Sequence, residues 1–135
     1  MNILPAIYTG DNFKIGEQFL SCPQVVKDRI YPVEGRGFDL GIRPEFVYFN
    51  EPHSLGFKHQ ESEEEQKSRL VVEVRVVEPL GREVLVRCGL LGTSVQMSVL
   101  GGADVRLRGG DRLSLSLDLS QLFVFDVATG ETLYP

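Results

Sequence analysis

The side chains best suited to metal or acid–base chemistry are few in this sequence. His53 and His59 are the only histidines, six residues apart in a charged stretch. That spacing matches neither the i, i+4 pair of a helical zinc site nor a Cys/His finger. Solvated loop histidines are the expectation. Glu61, Glu63, Glu64 and Glu65 supply four carboxylates, but without the Asp/Asn–Gly pattern of a calcium loop, so they read as a solvated acidic face. Cys22 and Cys88 are the only cysteines and neither has a partner at metal-ligand spacing. Two buried free thiols, suited to a reducing compartment, are expected.

Nucleotide chemistry needs a Gly-Lys-Ser/Thr loop to hold phosphates on backbone N–H groups and a lysine. No Gly-Lys dipeptide occurs here. The pairs Gly101-Gly102 and Gly109-Gly110 fall between strand-like runs and read as hairpin turns, although backbone N–H groups at such turns can also cradle an oxyanion. Single-stranded nucleic acid calls for a basic groove with exposed aromatic rings. With a pI of about 5.0 and no Trp, the sequence argues against nucleic acid as a partner. Neither a catalytic residue, a cofactor-binding residue nor a metal ligand is nominated.

The elements that would position any site come from periodicity. The chain has 135 residues, 42% of them hydrophobic, and a formal net charge of −5, most of it in the glutamates of 61–65. That size supports one domain over 1–135 with its own core and no need of disulfide or metal. The opening Met1–Pro5 has no basic, then apolar, leader pattern, and no apolar run is long enough to span a membrane.

From Leu70 onward the sequence alternates with the two-residue period of a half-buried strand. Leu70, Val72, Val74 and Val76 are assigned to one face, with Glu73 and Arg75 on the other. Val84, Val86 and Cys88 follow after Pro79-Leu80-Gly81, then Val95, Met97 and Val99. Val105 and Leu107 lead to the turn Gly109-Gly110-Asp111. Leu113, Leu115, Leu117 and Leu119 alternate with polar residues, and Leu122 to Phe125 precedes a turn at Ala128-Thr129-Gly130. In the first half, Leu4–Tyr8 and Phe13–Ile15 form a hairpin around Thr9–Asn12. Pro23–Ile30 is the one short helix, capped near Ser21 or Cys22. Phe38, Leu40 and Ile42 alternate again, as do Val47 and Phe49. Residues 52–67 read as an exposed charged loop. The pattern is all-β: a small antiparallel barrel or sandwich with at most one short helix.

Three segments then carry a resemblance. Gly41-Ile42-Arg43-Pro44-Glu45 is similar to the "GIRPE" element of the C-terminal regulatory domain of ABC-importer ATPase subunits. Glu78, Gly81 and Glu83, within Val76–Glu83, fit its "V-x-E-x-LG-x-E" strand-turn-strand. Phe125, Asp126, Thr129 and Gly130, within Phe125–Leu133, fit its closing "FD-xx-TG-xx-L". The opening Met1–Pro5 also resembles the stretch where such domains begin. The family is often called TOBE or MOP-like.

The resemblance implies an OB-like β-fold and a non-catalytic regulatory and dimerisation role in an importer of sugars, polyols or glycerol-phosphate-like solutes. It implies a parent ATPase whose nucleotide-binding domain, with its ATP and Mg, lies outside this chain. It further implies a homodimer through regulatory domains, contact through the ATPase domain with the transporter's membrane subunits, a regulatory protein as a further partner, and a place on the cytoplasmic face of the inner membrane. An oxyanion- or small-ligand-binding module of MOP type, and an OB-type nucleic-acid binder, are the alternatives. On the residues themselves, Pro44 stops a strand. Arg43, with Glu45, can bridge carbonyls or a carboxylate to stitch the barrel or meet a second subunit. Gly81 serves a turn. Phe125 is assigned to the core, and Asp126 and Thr129 to the N–H groups of the turn.

Overall fold

The computed structural model describes residues 1–50 and 68–135. The expected loop at 52–67, with His53, His59 and the glutamate run, lies outside the described residues. Two antiparallel sheets form among the described residues. The strands are β1 (Asn2–Thr9), β2 (Asn12–Ile15), β3 (Gln18–Ser21), β4 (Gly37–Ile42), β5 (Val47–Asn50), β6 (Arg69–Pro79), β7 (Glu83–Leu90), β8 (Gln96–Gly102), β9 (Arg112–Leu117), β10 (Phe123–Asp126) and β11 (Thr132–Tyr134), with one α-helix, α1 (Gln24–Ile30), between β3 and β4. The first sheet runs β11-β10-β4-β1-β2-β3 and the second β5-β9-β6-β7-β8.

Strand alternation sends one side of each sheet into a shared core. Leu4, Phe13, Phe38 and Leu40 of the first sheet and Leu70, Val74, Val86 and Leu115 of the second are buried in one apolar cluster, which Val26 and Ile30 of α1 join. Edge-to-face rings run through it, Tyr8 to Phe13 at 6.3 Å and Phe13 to Phe38 at 6.1 Å, a favoured aromatic geometry.

The second sheet curls. Its two outer strands, β5 and β8, approach each other, and a Cβ placed on Gly101 would sit 3.0 Å from the Phe49 ring and 2.7 Å from Val105. Around this partly open ring the order is β6-β7-β8-β5-β9, an OB-like, five-stranded arrangement.

Two side-chain amides join the sheets where strands run out. Asn2 on β1 donates to the Ser98 carbonyl at 2.8 Å and accepts from the Ser98 N–H at 2.7 Å. Gln18 on β3 donates to the Val71 carbonyl at 2.9 Å and accepts from the Val71 N–H at 2.7 Å. Each amide copies the donor–acceptor pair of a peptide and extends a ladder beyond its last strand.

Several expectations need correction. The register slips between Val74 and Val76, so this bulge turns Val76 out to solvent while Val77 packs against the core. Gly101-Gly102 is the end of β8, paired with Val84 and Glu83, and not a turn. Leu119 lies in a 3-10 turn after β9. The helix is capped neither by Ser21 nor by Cys22: Pro23 occupies the cap position with no side-chain hydrogen bond, and Cys22 instead continues β3 by donating its N–H to the Asp11 carbonyl at 3.0 Å. The short strands β3 and β11 were not expected.

Candidate interaction face

The second side of the six-stranded sheet faces outward and is mostly apolar. Strand register lines up its residues in rows. Phe123, Gly41 and Ile3 form one row; Phe125, Asp39 and Pro5 the next; Gly37, Ile7, Lys14 and Phe19 the third. Ile3 is 44% exposed, and Ile7 and Phe19 are each 50% exposed. Contiguous apolar surface of this kind marks interaction sites.

Gly41 makes the first row possible. A Cβ there would meet Met1 Sδ at 2.6 Å and the Phe125 ring at 2.8 Å. Its missing side chain lets the two phenylalanines lie flat against the sheet, stacked at 6.1 Å with their planes 3° apart. Phe125 therefore belongs to the outward face and not to the core; strand parity sends Val124 inward instead.

Arg43 follows β4 and holds its guanidinium 5.9 Å from the centre of the Phe123 ring, within cation–π range. Among the described residues it bridges neither a carbonyl nor a carboxylate, so the expected stitch is replaced by a ring contact. Pro44 opens a 3-10 turn with Glu45 in it, Pro44–Phe46.

At the other end of β10, Asp126 accepts from the Ala128 and Thr129 N–H groups at 2.8 and 3.0 Å, while its second oxygen meets Arg36 at 3.2 Å. Those N–H groups, Thr129 first, hold its carboxyl below the usual carboxylate range. The Thr129 hydroxyl accepts from Glu131 N–H at 3.1 Å, and Gly130 takes the positive φ of 73° that the turn needs.

The first and third motif segments thus converge on the paired strands β4 and β10. The second does not. Glu78, Gly81 and Glu83 lie on the β6–β7 hairpin of the other sheet, where Glu78 pairs with Arg87 at 3.5 Å, Gly81 sits at φ 88°, and Glu83 accepts the Leu80 N–H on its carbonyl at 2.7 Å. On that sheet's outer face Glu73 meets both Arg75, at 2.9 Å, and Arg112, at 3.6 Å.

Cys22 and Cys88 are free and buried, and burial pushes each thiol up to about 11. Asp11 is held low by Lys27, 3.0 Å away, and by the Tyr8 hydroxyl, in a cluster that pins the β1–β2 turn to α1. Among the described residues, no group of three His, Cys, Asp or Glu side chains is placed to hold a metal ion, and no helix is long and apolar enough to cross a membrane. The residues sequence reading missed are Ile3, Ile7, Lys14, Phe19, Asp39 and Phe123, and only strand pairing identifies their common face.

Comparison with known proteins adds two findings. The profile of the TOBE domain matches residues 40–125. Among solved structures, the fold is similar to the cytoplasmic molybdate-binding protein ModG with molybdate bound, at a TM-score of 0.65 and 13% identity, over 91% of this chain and 94% of that one. A search of curated proteins gave no match.

Proposed function

The chain belongs to the TOBE domain family, and from that premise we propose that it is a non-catalytic binding module of MOP type whose ligand is a small oxyanion of the molybdate class. The observation that carries this reading is the extent of shared architecture: the likeness to a molybdate-bound protein runs through 91% of this chain and 94% of the other. A shared fold supports this ligand class, and the ligating atoms belong to the site itself. Oxyanions of this size are held by converging backbone N–H groups and hydroxyls. Gly101-Gly102 is not that cradle, because Gly101 is covered by Phe49 and Val105 and both glycines belong to β8, paired with β7.

The test is thermal unfolding of the chain with molybdate, tungstate, sulfate, maltose or glycerol 3-phosphate. The midpoint rises with molybdate or tungstate as ligand exceeds its dissociation constant. A midpoint unmoved by every oxyanion overturns the reading.

A second reading, the regulatory domain of a sugar-, polyol- or glycerol-phosphate-importing ABC ATPase, is favoured by one observation. Gly41 and Arg43 meet Phe123 and Phe125 across β4 and β10, joining two motif segments far apart in sequence. In that setting the ATPase domain and membrane subunits would be partners, on the cytoplasmic face of the inner membrane. A rise with glycerol 3-phosphate or maltose alone, and not with oxyanions, supports it.

A further inference from the structure

Two opposite charges stand unpaired on the outward face of the six-stranded sheet. Asp39 on β4 lies between Phe125 and Pro5, and Lys14 on β2 lies between Ile7 and Phe19. Both are half-buried, and among the described residues neither side chain has a hydrogen-bond or ion-pair partner. The outward positions of β4 are Gly37, Asp39 and Gly41. Phe125 and Met1 cover Gly41, whereas a Cβ on Gly37 would meet nothing nearer than the Ala6 carbonyl, at 3.7 Å. The space beside the Asp39 carboxylate is therefore open on its Gly37 side.

Asp39 and Lys14 are too far apart to satisfy each other. They are related by two strand spacings across and two residues along, with their midpoint over β1 between Pro5 and Ile7. Standard sheet spacings make this roughly 12 Å. The order along this line is anion, apolar surface, cation. A ligand that matches it carries a cation at one end, an anion at the other and methylene groups between. One lacking either charge would shield a half-buried ion from water without pairing it, which is unfavourable. Charge-assisted hydrogen bonds take up about 2.8 Å at each end, which leaves roughly 6–7 Å between the ligand's own charges. An extended chain of five or six carbons has that span.

We propose that this line of residues binds an ω-aminocarboxylate of five or six carbons. Asp39 accepts hydrogen bonds from the ligand's ammonium group, which occupies the space left by Gly37. Lys14 donates to its carboxylate. The methylene groups lie over Pro5 and Ile7, and Phe125 and Phe19 bound the two ends. Charge spacing then sets the selectivity. An α-amino acid holds its two charges too close together to reach both partners, and a diamine sets a second cation against Lys14. The proposal concerns this face alone and is independent of the oxyanion reading.

Titration of the isotope-labelled chain with 6-aminohexanoate, followed by amide NMR, tests it, and the same spectra report whether each variant is folded. Saturable shifts at Ile7, Lys14 and Asp39 are expected, with a dissociation constant on the order of millimolar. Hexylamine and hexanoate, which each lack one charge, bind the wild type about tenfold more weakly or worse. Asp39→Asn and Lys14→Gln each lower the affinity for 6-aminohexanoate by a similar factor. Exchanging the charges, with Asp39→Lys and Lys14→Glu together, restores most of it, because the ligand binds turned end for end. The comparison with hexylamine and hexanoate uses the wild-type chain and so holds even where a variant fails to fold. Shifts that do not saturate overturn the proposal, as does hexylamine or hexanoate matching 6-aminohexanoate, or a charge-exchanged chain that binds no better than either neutral variant.

Discussion

Asn2 and Ser98, 96 residues apart, exchange two hydrogen bonds, at 2.8 and 2.7 Å, as two paired strands would. Asn2 is one of the few polar residues buried among the described residues, and it occupies the outward edge of β8, where no strand hydrogen-bonds. The amide closes part of a sheet edge that would otherwise be open to pairing.

Replacing Asn2 with Leu strands the Ser98 N–H and carbonyl, and a loss of about 2–3 kcal/mol is expected. Urea unfolding measures it. Gln18→Ala removes the matching pair of bonds at an exposed position, where water substitutes, so its loss is below about 1 kcal/mol. Equal losses would contradict the distinction.

Gly41 and Gly89 offer a second contrast. A Cβ on Gly41 strikes the Phe125 ring at 2.8 Å, whereas one on Gly89 meets only the guanidinium of Arg75, at 2.9 Å. A ring fixed in a stack yields poorly and the end of a long side chain readily. Gly41→Ala is expected to cost about 1–2 kcal/mol and Gly89→Ala less than about 0.5 kcal/mol, compared by thermal denaturation.

Acid weakens the fold through Asp126 and Asp11. Both carboxyls titrate lower when folded, Asp126 because of the Thr129 and Ala128 N–H groups and Asp11 because of Lys27. The unfolded chain therefore binds these protons first as pH falls. Their contribution is complete above the unfolded carboxylate range and disappears as pH drops through the folded values. Asp126→Asn should flatten the stability-versus-pH curve below about pH 5; a curve parallel to wild type would refute the assignment.

The thiols report on unfolding. With Cys22 and Cys88 buried and pushed up to about 11, a disulfide reagent at neutral pH should label neither in the native protein and both in urea. Rapid native labelling would mean the core opens at β3 or β7.

Much of the second sheet was legible from sequence because its strands alternate cleanly. Leu113, Leu115 and Leu117 are buried with Ser114 and Ser116 between them, and the Ser-Leu repeat leaves one solution. The first sheet was harder. β1 reads Asn-Ile-Leu-Pro-Ala-Ile-Tyr-Thr, nearly continuous in apolarity, so the sequence hides which side meets solvent. The pairing with β4 places Ile3 and Ile7 beside Gly41 and Gly37, on the outward side. Phe125 misleads for a related reason, since a large aromatic beside a polar turn suggests an anchor, while its neighbour Val124 fills the core. Val76 was misplaced because nothing in a Val-rich run announces the bulge at Arg75. The strands β3 and β11, of four and three residues, are too short to show a period. The motif residues of 41–45 and 125–130 were found by resemblance, but their meeting across β4 and β10 is a tertiary fact.

Equilibrium dialysis of the chain against molybdate, with molybdenum measured on both sides of the membrane, addresses the proposed function most directly. An excess on the protein side that saturates at a fixed stoichiometry and is displaced by tungstate is expected. Equal concentrations on both sides at every molybdate level would contradict it.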